Sequence, residues 1–420
     1  MKKLKGNLLY GQSGGPTSVI NASAYGIIKE ALEHNDLIEE VIVMRHGING
    51  ALNEDFYFMS EQDEFDIELL KHTPGSAFGS VRYKIANFKE DETDYVRLLY
   101  LFQKYNIKYF FYNGGNDSMD TCLKISQYMK YVDYEVRVIG IPKTIDNDLP
   151  YTDHTPGYGS AAKFIANTMM EISCDMLAYP KGKVTIVEIM GRHAGWLTAA
   201  SHLATVKGFG PDLIYLPEVP FSIEQFKRDV RRVYGEKHQC LIAVSEGLKN
   251  EEGMFISSSS ALKDAFGHFQ LGGVCTKLSQ ILNNEMRITS RSIELGTVQR
   301  AAAHLQSLTD VEEAIEVGRQ GVRYAVAGIT DIMVTINRVS TDPYKVKFGK
   351  HPLSEIANFE RVMPPEMINK DGNGITAEFI TYVNPLIQGE NTPLYKDGVQ
   401  QFSIMKQKKR KDWEISLFSL

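Results

Sequence analysis

The sequence predicts an α/β protein with mostly parallel sheets, covered by helices on both faces. Three observations carry this. Short apolar runs alternate with stretches whose apolar residues recur at helical spacing. Each unusual polar cluster falls directly after one of the apolar runs. And 420 residues are too many for one ordinary core and enough for two. "NLLYG" (7–11) reads as a strand, followed by Ile20, Ala24, Ile27, Ile28 and Leu32 at helical spacing. "KYFFY" (108–112) is a second strand, with Cys122, Ile125 and Met129 after it, and "RVIGI" (137–141) is a third. Residues 161–177 form a helix through Phe164, Ile165, Thr168, Met169 and Ile172. "VTIVEIM" (184–190) is a strand before a helix carrying Trp196, Leu197, Ala200, Leu203 and Ala204, and "CLIAVSEG" (240–247) is a strand with a polar end. Beyond about residue 335 the alternation weakens. "DPYKVKFGKHP", "RVMPPEMINKDGNG" and "YVNPLIQGENTPLY" predict an ordered but irregular C-terminal extension.

Composition narrows the function. Hydrophobic residues at 43% and charged residues at 23% are ordinary for a soluble globular chain, and the net charge of −6 argues against a dedicated nucleic-acid binder. "KQKKRK" (406–411) reads as a solvated tail. Cys122, Cys174, Cys240 and Cys275 are far apart in sequence and read as buried free thiols of a reducing compartment. No apolar run reaches the roughly 18–20 residues that span a bilayer. The N-terminal apolar stretch is too short for a signal sequence, so a cytoplasmic location is expected.

In parallel α/β sheets ligands bind at the carboxyl ends of strands, and the polar clusters fall there. In "GQSGGPTSVIN" (11–21), Gly14 and Gly15 suit close approach of backbone N–H groups to an anion at a helix start. "GSVRYK" (79–84) offers Arg82. Gly114, Gly115, Asn116, Asp117 and Ser118 form a second glycine turn, with Ser118 placed to cap the next helix. "PKTIDND" (142–148) sets Asp146 and Asp148 beside Lys143 and Thr144, a pattern suited to phosphoryl transfer. The cation offsets charge on the moving group, and a carboxylate accepts a hydroxyl proton or helps hold Mg²⁺. "MGRHAGWLT" (190–198) offers Arg192 between Gly191 and Gly195, with His193 read as structural. Glu246 in "SEG" suits sugar hydroxyls, and Arg291 with Arg300 suits an anion on a second substrate. Taken singly, these clusters also fit plainer roles: a tight turn, a surface arginine, a helix cap or a salt-bridged loop. Together they point to phosphoryl transfer onto a hydroxyl of a small phosphorylated acceptor.

"PKTIDND", "MGRHAGWLT" and "GGNDS", in this order, resemble the phosphofructokinases, and specifically their pyrophosphate-dependent branch, from about residue 6 to 335. The resemblance implies two Rossmann-like three-layer α/β/α domains. Residues 1–158 would form the phosphoryl-donor domain and 159–298 the fructose 6-phosphate domain. Residues 299–420 would form a return segment to the first domain and the C-terminal extension. It implies Asp146 as the base on the sugar 1-hydroxyl, with Thr144 and Asp148 beside it. Arg192 would stabilise the transferring phosphoryl group. Gly14, Gly15, Arg82, Gly115, Asp117, Ser118 and Lys143 would line the donor site, and Met190, Gly191, Glu246, Arg291 and Arg300 the sugar-phosphate site. Lys183 stands where arginine is usual among cations supplied by a neighbouring subunit, implying a homodimer or homotetramer. Asp117 and Lys143 replace two glycines of the ATP-using members, which implies pyrophosphate as donor: an aspartate there repels an α-phosphate and lysine fills its space. Two positions depart from the family. Asn116 stands where an aspartate usually helps bind Mg²⁺, leaving Asn116 and Asp117 as the metal candidates, and Thr297 stands where histidine or tyrosine is common. An ATP donor, sedoheptulose 7-phosphate as acceptor, and a non-catalytic regulatory subunit are the alternative readings.

Overall fold

The computed structural model describes residues 3–180, 182–256 and 271–407. Two parallel-stranded sheets organise it. The larger has seven strands: β1 (Gly6–Gln12), β2 (Ile38–Met44), β3 (Phe56–Phe58), β4 (Ile107–Gly114), β5 (Arg137–Pro142), and two further strands from late in the chain. The smaller has four: β6 (Val184–Ile189), β7 (Leu213–Tyr215), β8 (Cys240–Ser245) and β9 (Ser290–Glu294). The late strands are β10 (Ile332–Thr341) and β11 (Tyr344–Pro352), giving the order β11-β10-β5-β4-β1-β2-β3 in the large sheet and β7-β8-β6-β9 in the small one. The five central strands of the large sheet run parallel and its two edges are antiparallel; the small sheet is parallel throughout.

The apolar runs follow from burial on both faces. In β4, Phe110 and Tyr112 enter the core on one side of the sheet, and Tyr109 and Phe111 the core on the other. In the small sheet, Val187 and Ile189 of β6 face one core while Val184 and Ile186 face its opposite.

The order of strands creates the site. From β1 the chain goes to β2 on one side, and later to β4 on the other, so the carboxyl ends of β1 and β4 diverge at a switch point where ligands bind. In the small sheet β6 lies between β8 and β9, which repeats the device. After β9 the helix Leu308–Val326 returns to the large sheet and packs on the helix Ile20–Glu33.

Four expectations are corrected. The segment "DPYKVKFGKHP" is not irregular: most of it is β11, paired along its whole length with β10 from Thr341↔Tyr344 to Ile332↔Pro352. Its alternation is of half-exposed and exposed residues, as an edge strand requires, so the apolar signal is weak. The single helix expected through Trp196 and Ala204 is two short ones, Trp196–Ala199 and His202–Val206. Between them the Ser201 hydroxyl donates to the Thr198 carbonyl at 2.7 Å. Ser118 does not cap its helix, which begins at Asn116 after Gly115; Ser118 lies buried in the first turn. Cys174 is exposed, while the other three thiols are buried. Residues 408–411 of the basic tail lie outside the described residues.

The remainder of the extension is not loose. Phe379, Val383 and Leu386 join the core of the smaller sheet beside Trp196 and Ile189. Before them, residues 358–363 form a strap along the cleft between the two sheets: Asn358 turns with φ of +68°, and residues 359–363 follow without regular secondary structure.

Candidate active site

One pocket collects the carboxyl ends of both sheets. From the large sheet it takes Gly14 and Gly15 after β1, Arg82, the turn 115–118 after β4, and Lys143 to Asp148 after β5. From the small sheet it takes Met190, Arg192 and His193 after β6, Glu246 after β8, and Arg300 after β9. Sequence-predicted clusters as far apart as Gly14 and Arg300 are therefore one site, because all but the Arg82 loop follow a strand whose end faces the same cleft.

The donor end is closed by Lys143. Its side chain is buried, and Nζ donates to the carbonyls of Ser13 (2.9 Å) and Gly15 (2.6 Å), so it crosses from β5 to the turn after β1. The turn is therefore braced by the lysine side chain. The Gly14 N–H is engaged as well, donating to Val81 at 3.1 Å, while the Ser80 hydroxyl donates to the Gly14 carbonyl at 2.6 Å. These two bonds attach the loop carrying Arg82 to the turn after β1. A Cβ added at Gly15 would come within 3.0 Å of the Arg300 guanidinium, so the absence of a side chain here leaves room for an arginine that follows the small sheet. Burial lowers the Lys143 ammonium to about 7. The charge of Asp146 works against that, and Arg300 and Arg82 work with it.

Asp146 and Asp148 lie deep in the cleft. Burial raises Asp146 above the usual carboxylate range, opposed by Arg192 and Lys143. Burial pushes Asp148 up to about 7, helped by the charges of Asp146 and Glu360. The Asp146 N–H donates to the Thr144 hydroxyl at 3.1 Å, which turns the loop so that both carboxylates reach the pocket. On the facing side Gly191 adopts φ of +144°, and its N–H donates to Glu246 at 3.4 Å. Glu246 is pushed up to about 7, by burial and then by Asp146. Raised carboxyls next to cations in one cleft are the arrangement found where proton transfer is performed.

The pocket does not include every expected residue. Lys183 and Arg291 are exposed and outside it; Arg291 meets Asp175 at 3.4 Å. Thr297 is exposed and outside it too. Asn116 lines the pocket, but its amide serves the chain: Oδ1 accepts the Asn358 N–H at 2.6 Å, and Nδ2 donates to the Phe359 carbonyl. Two residues were missed. His193, read as structural, lines the site and meets Glu360 at 2.9 Å. Glu360 itself comes from the strap, in a stretch with no strand before it to signal a site.

The comparisons with known proteins agree with this geometry. The phosphofructokinase family matches residues 7–322. The chain belongs to the phosphofructokinase family. It is 43% identical over 396 residues to the pyrophosphate–fructose 6-phosphate 1-phosphotransferase of Halomonas elongata, covering 94% of each chain. It is 43% identical over 420 residues to the protein of the same name from Xanthomonas campestris pv. campestris, covering 97% of this chain and 99% of that one. Among solved structures, the pyrophosphate-dependent phosphofructokinase of Nitrosospira multiformis superposes with a TM-score of 0.87 at 39% identity, covering 98% of this chain and all of that one. No helix among the described residues is long and apolar enough to cross a membrane.

Proposed function

We infer that this phosphofructokinase moves a phosphoryl group from pyrophosphate to the 1-hydroxyl of fructose 6-phosphate, giving fructose 1,6-bisphosphate and phosphate. The observation that carries the reading is the buried Lys143 laid across the donor end, with Asp117 beside it and Asp146 and Asp148 just beyond. A short polyanion fits against such a lysine; a nucleotide needs the volume the lysine occupies and meets the charge of Asp117. In this reading the incoming pyrophosphate raises Lys143 back to its charged form. Arg82, on the loop tied to Gly14, holds the outer phosphate. Glu246, Met190 and Arg300 hold the sugar phosphate so that its 1-hydroxyl faces Asp146.

Asp146 then takes the hydroxyl proton, and Arg192 stabilises charge on the phosphoryl oxygens as the bond to the leaving phosphate breaks. A raised carboxyl suits this task, because it is a stronger base than an ordinary carboxylate and can return the proton when the reaction runs the other way. Mg²⁺ would offset charge on the pyrophosphate oxygens. The oxygen ligands it prefers are present in Asp117 and Asp148, while the Asn116 oxygen already accepts a backbone N–H. Lys183 and Arg291 sit outside this chain's own pocket, near the edge of the small sheet where Thr185 of β6 pairs with Arg291. The reading gives them to the sugar phosphate of a second copy, which makes the working form a homodimer or homotetramer in the cytoplasm.

The test is an assay of the purified chain with Mg²⁺ and fructose 6-phosphate, with pyrophosphate in one series and ATP in the other. Turnover with pyrophosphate and little with ATP is expected. Equal or better turnover with ATP overturns the donor assignment.

A further inference from the structure

The strap 358–363 belongs to neither glycine turn nor strand end, yet it is bonded to residues on both sides of the cleft, Asn116 and Asp148 on one and His193 on the other. Asn358 and Phe359 hold the Asn116 amide, and the Asn358 side chain donates to Asp120 at 3.1 Å. Glu360 meets His193. The Met363 N–H donates to Glu218 at 3.0 Å, and the same carboxylate oxygen accepts the Gly195 N–H at 2.7 Å, so the strap ends on the loop that carries Arg192.

Between these ends stands Arg361. Its backbone N–H donates to the Asp148 carbonyl at 2.7 Å. Its guanidinium donates four bonds to three carbonyls of the loop after Asp146. Nε and Nη2 reach Asn147 at 3.2 and 2.8 Å, and Nη1 reaches Thr152 at 2.8 Å and Asp153 at 2.6 Å. The guanidinium carbon Cζ lies over the Trp196 ring, 4.8 Å from its centroid.

The loop it holds needs holding. Asn147 and Tyr151 adopt φ of +56° and +60°, a left-handed conformation that asparagine tolerates and that is uncommon for a residue such as tyrosine. Asn147 is gripped from both ends: its side chain accepts from the Thr155 N–H at 3.1 Å and donates to the Tyr382 hydroxyl at 2.8 Å, and its carbonyl accepts from Arg361. Asn147 is also the residue between the two catalytic-loop carboxylates, so its backbone sets where Asp146 and Asp148 point.

We propose that Arg361 is a positioning residue for the Asp146–Asp148 loop, which makes the C-terminal strap a working part of the active site. The proposal rests on the reading of Asp146 as the base. A planar fork with five donors can serve three carbonyls at once; an ammonium cannot, so lysine is a poor replacement. Loss of the fork lets the loop relax by a fraction of an ångström to an ångström, and misplacement on that scale costs a base about a hundredfold in rate.

The experiment compares Arg361→Lys and Arg361→Ala with the parent chain and with Asp146→Ser, at a temperature where far-UV circular dichroism reports each as folded. Both Arg361 variants are expected to lose about 10- to 100-fold in kcat. KM for pyrophosphate and for fructose 6-phosphate should stay within about threefold, because Arg361 faces the loop and not the substrates. Added guanidinium should recover part of the kcat of Arg361→Ala and none of that of Asp146→Ser. The proposal is overturned if folded Arg361→Lys and Arg361→Ala keep the parent kcat, or if their loss falls on KM alone. Undiminished turnover by Asp146→Ser removes the base reading and this proposal with it. A dead Asp146→Ser beside fully active Arg361 variants removes only the proposal.

Discussion

The loop 143–148, which carries the proposed base, is approached from two sides that are built differently. On the donor side, Lys143 reaches back to the turn after β1 from the end of β5, and every partner is a residue at a strand end. On the opposite side, the loop 147–153 is held by Arg361 and Tyr382, which come from a segment more than 200 residues later with no sheet of its own there. The first side places charge for chemistry; the second fixes backbone. A parallel sheet supplies the first automatically, because its carboxyl ends converge. Nothing in the sheet supplies the second, and the chain provides it with a strap that both domains must be folded to receive.

The sharpest way to break this comparison is at the chemical group itself. Asp146→Ser should lower kcat by about a hundred- to ten-thousand-fold while calorimetric binding of fructose 6-phosphate is largely kept, since a general base acts in the transition state. Tight binding with normal turnover would remove Asp146 from the mechanism. Next in size, the double change Asp117→Gly with Lys143→Gly should cut kcat/KM for pyrophosphate by at least about tenfold and give measurable turnover with ATP, because it clears the volume and the charge that reject a nucleotide. If pyrophosphate activity falls and no ATP activity emerges, the nucleotide is excluded by residues farther from the donor phosphates.

The two sides also meet electrostatically, through Glu360. Its charge helps to raise both Asp146 and Asp148, after burial, which is the larger cause for each. A base whose carboxyl is raised is lost as pH falls, so the acid limb of kcat/KM should lie above the ordinary carboxylate range near 4. Glu360→Gln removes a negative neighbour and makes the carboxyls easier to ionise. The limb should therefore move to lower pH, which a pH–rate profile of the two proteins measures; a shift upward would mean Glu360 acts in some other way. The smallest effect is expected at Asn116. Asn116→Ala removes both bonds to the strap at a partly exposed site, and should lower stability by about 1 kcal/mol in urea unfolding. A loss of Mg²⁺ affinity from that variant would return Asn116 to the role of ligand.

Much of the site was legible because parallel strands write it locally. A run buried on both faces, such as "KYFFY", ends where the sheet ends, and the polar residues that follow have to stand at the ligand-binding edge. Gly14, Asp117, Lys143, Asp146, Arg192, Glu246 and Arg300 were all found by that rule, and all line one pocket. The rule fails where a residue arrives by another route. β11 escaped because an edge strand alternates exposed and half-exposed side chains, with no apolar run to mark it. His193 was placed correctly at a strand end but its partner, Glu360, was not in view, so nothing distinguished it from a structural histidine.

By itself, then, the sequence determined the class of fold, the family, and the list of charged groups at strand ends, since each depends on local periodicity and on short motifs. Tertiary structure alone decided what those groups do to one another. It turned Lys143 inward onto two carbonyls, and drew Arg300 of the small sheet up to Gly15 of the large one. It also committed the amide of Asn116 to the strap that brings Arg361 over the catalytic loop. The reason is distance along the chain: a hydrogen bond between residues 116 and 358 leaves no periodicity in either neighbourhood, and exists only once the late strands have joined the large sheet and the segment after them has packed on the helix that follows β4.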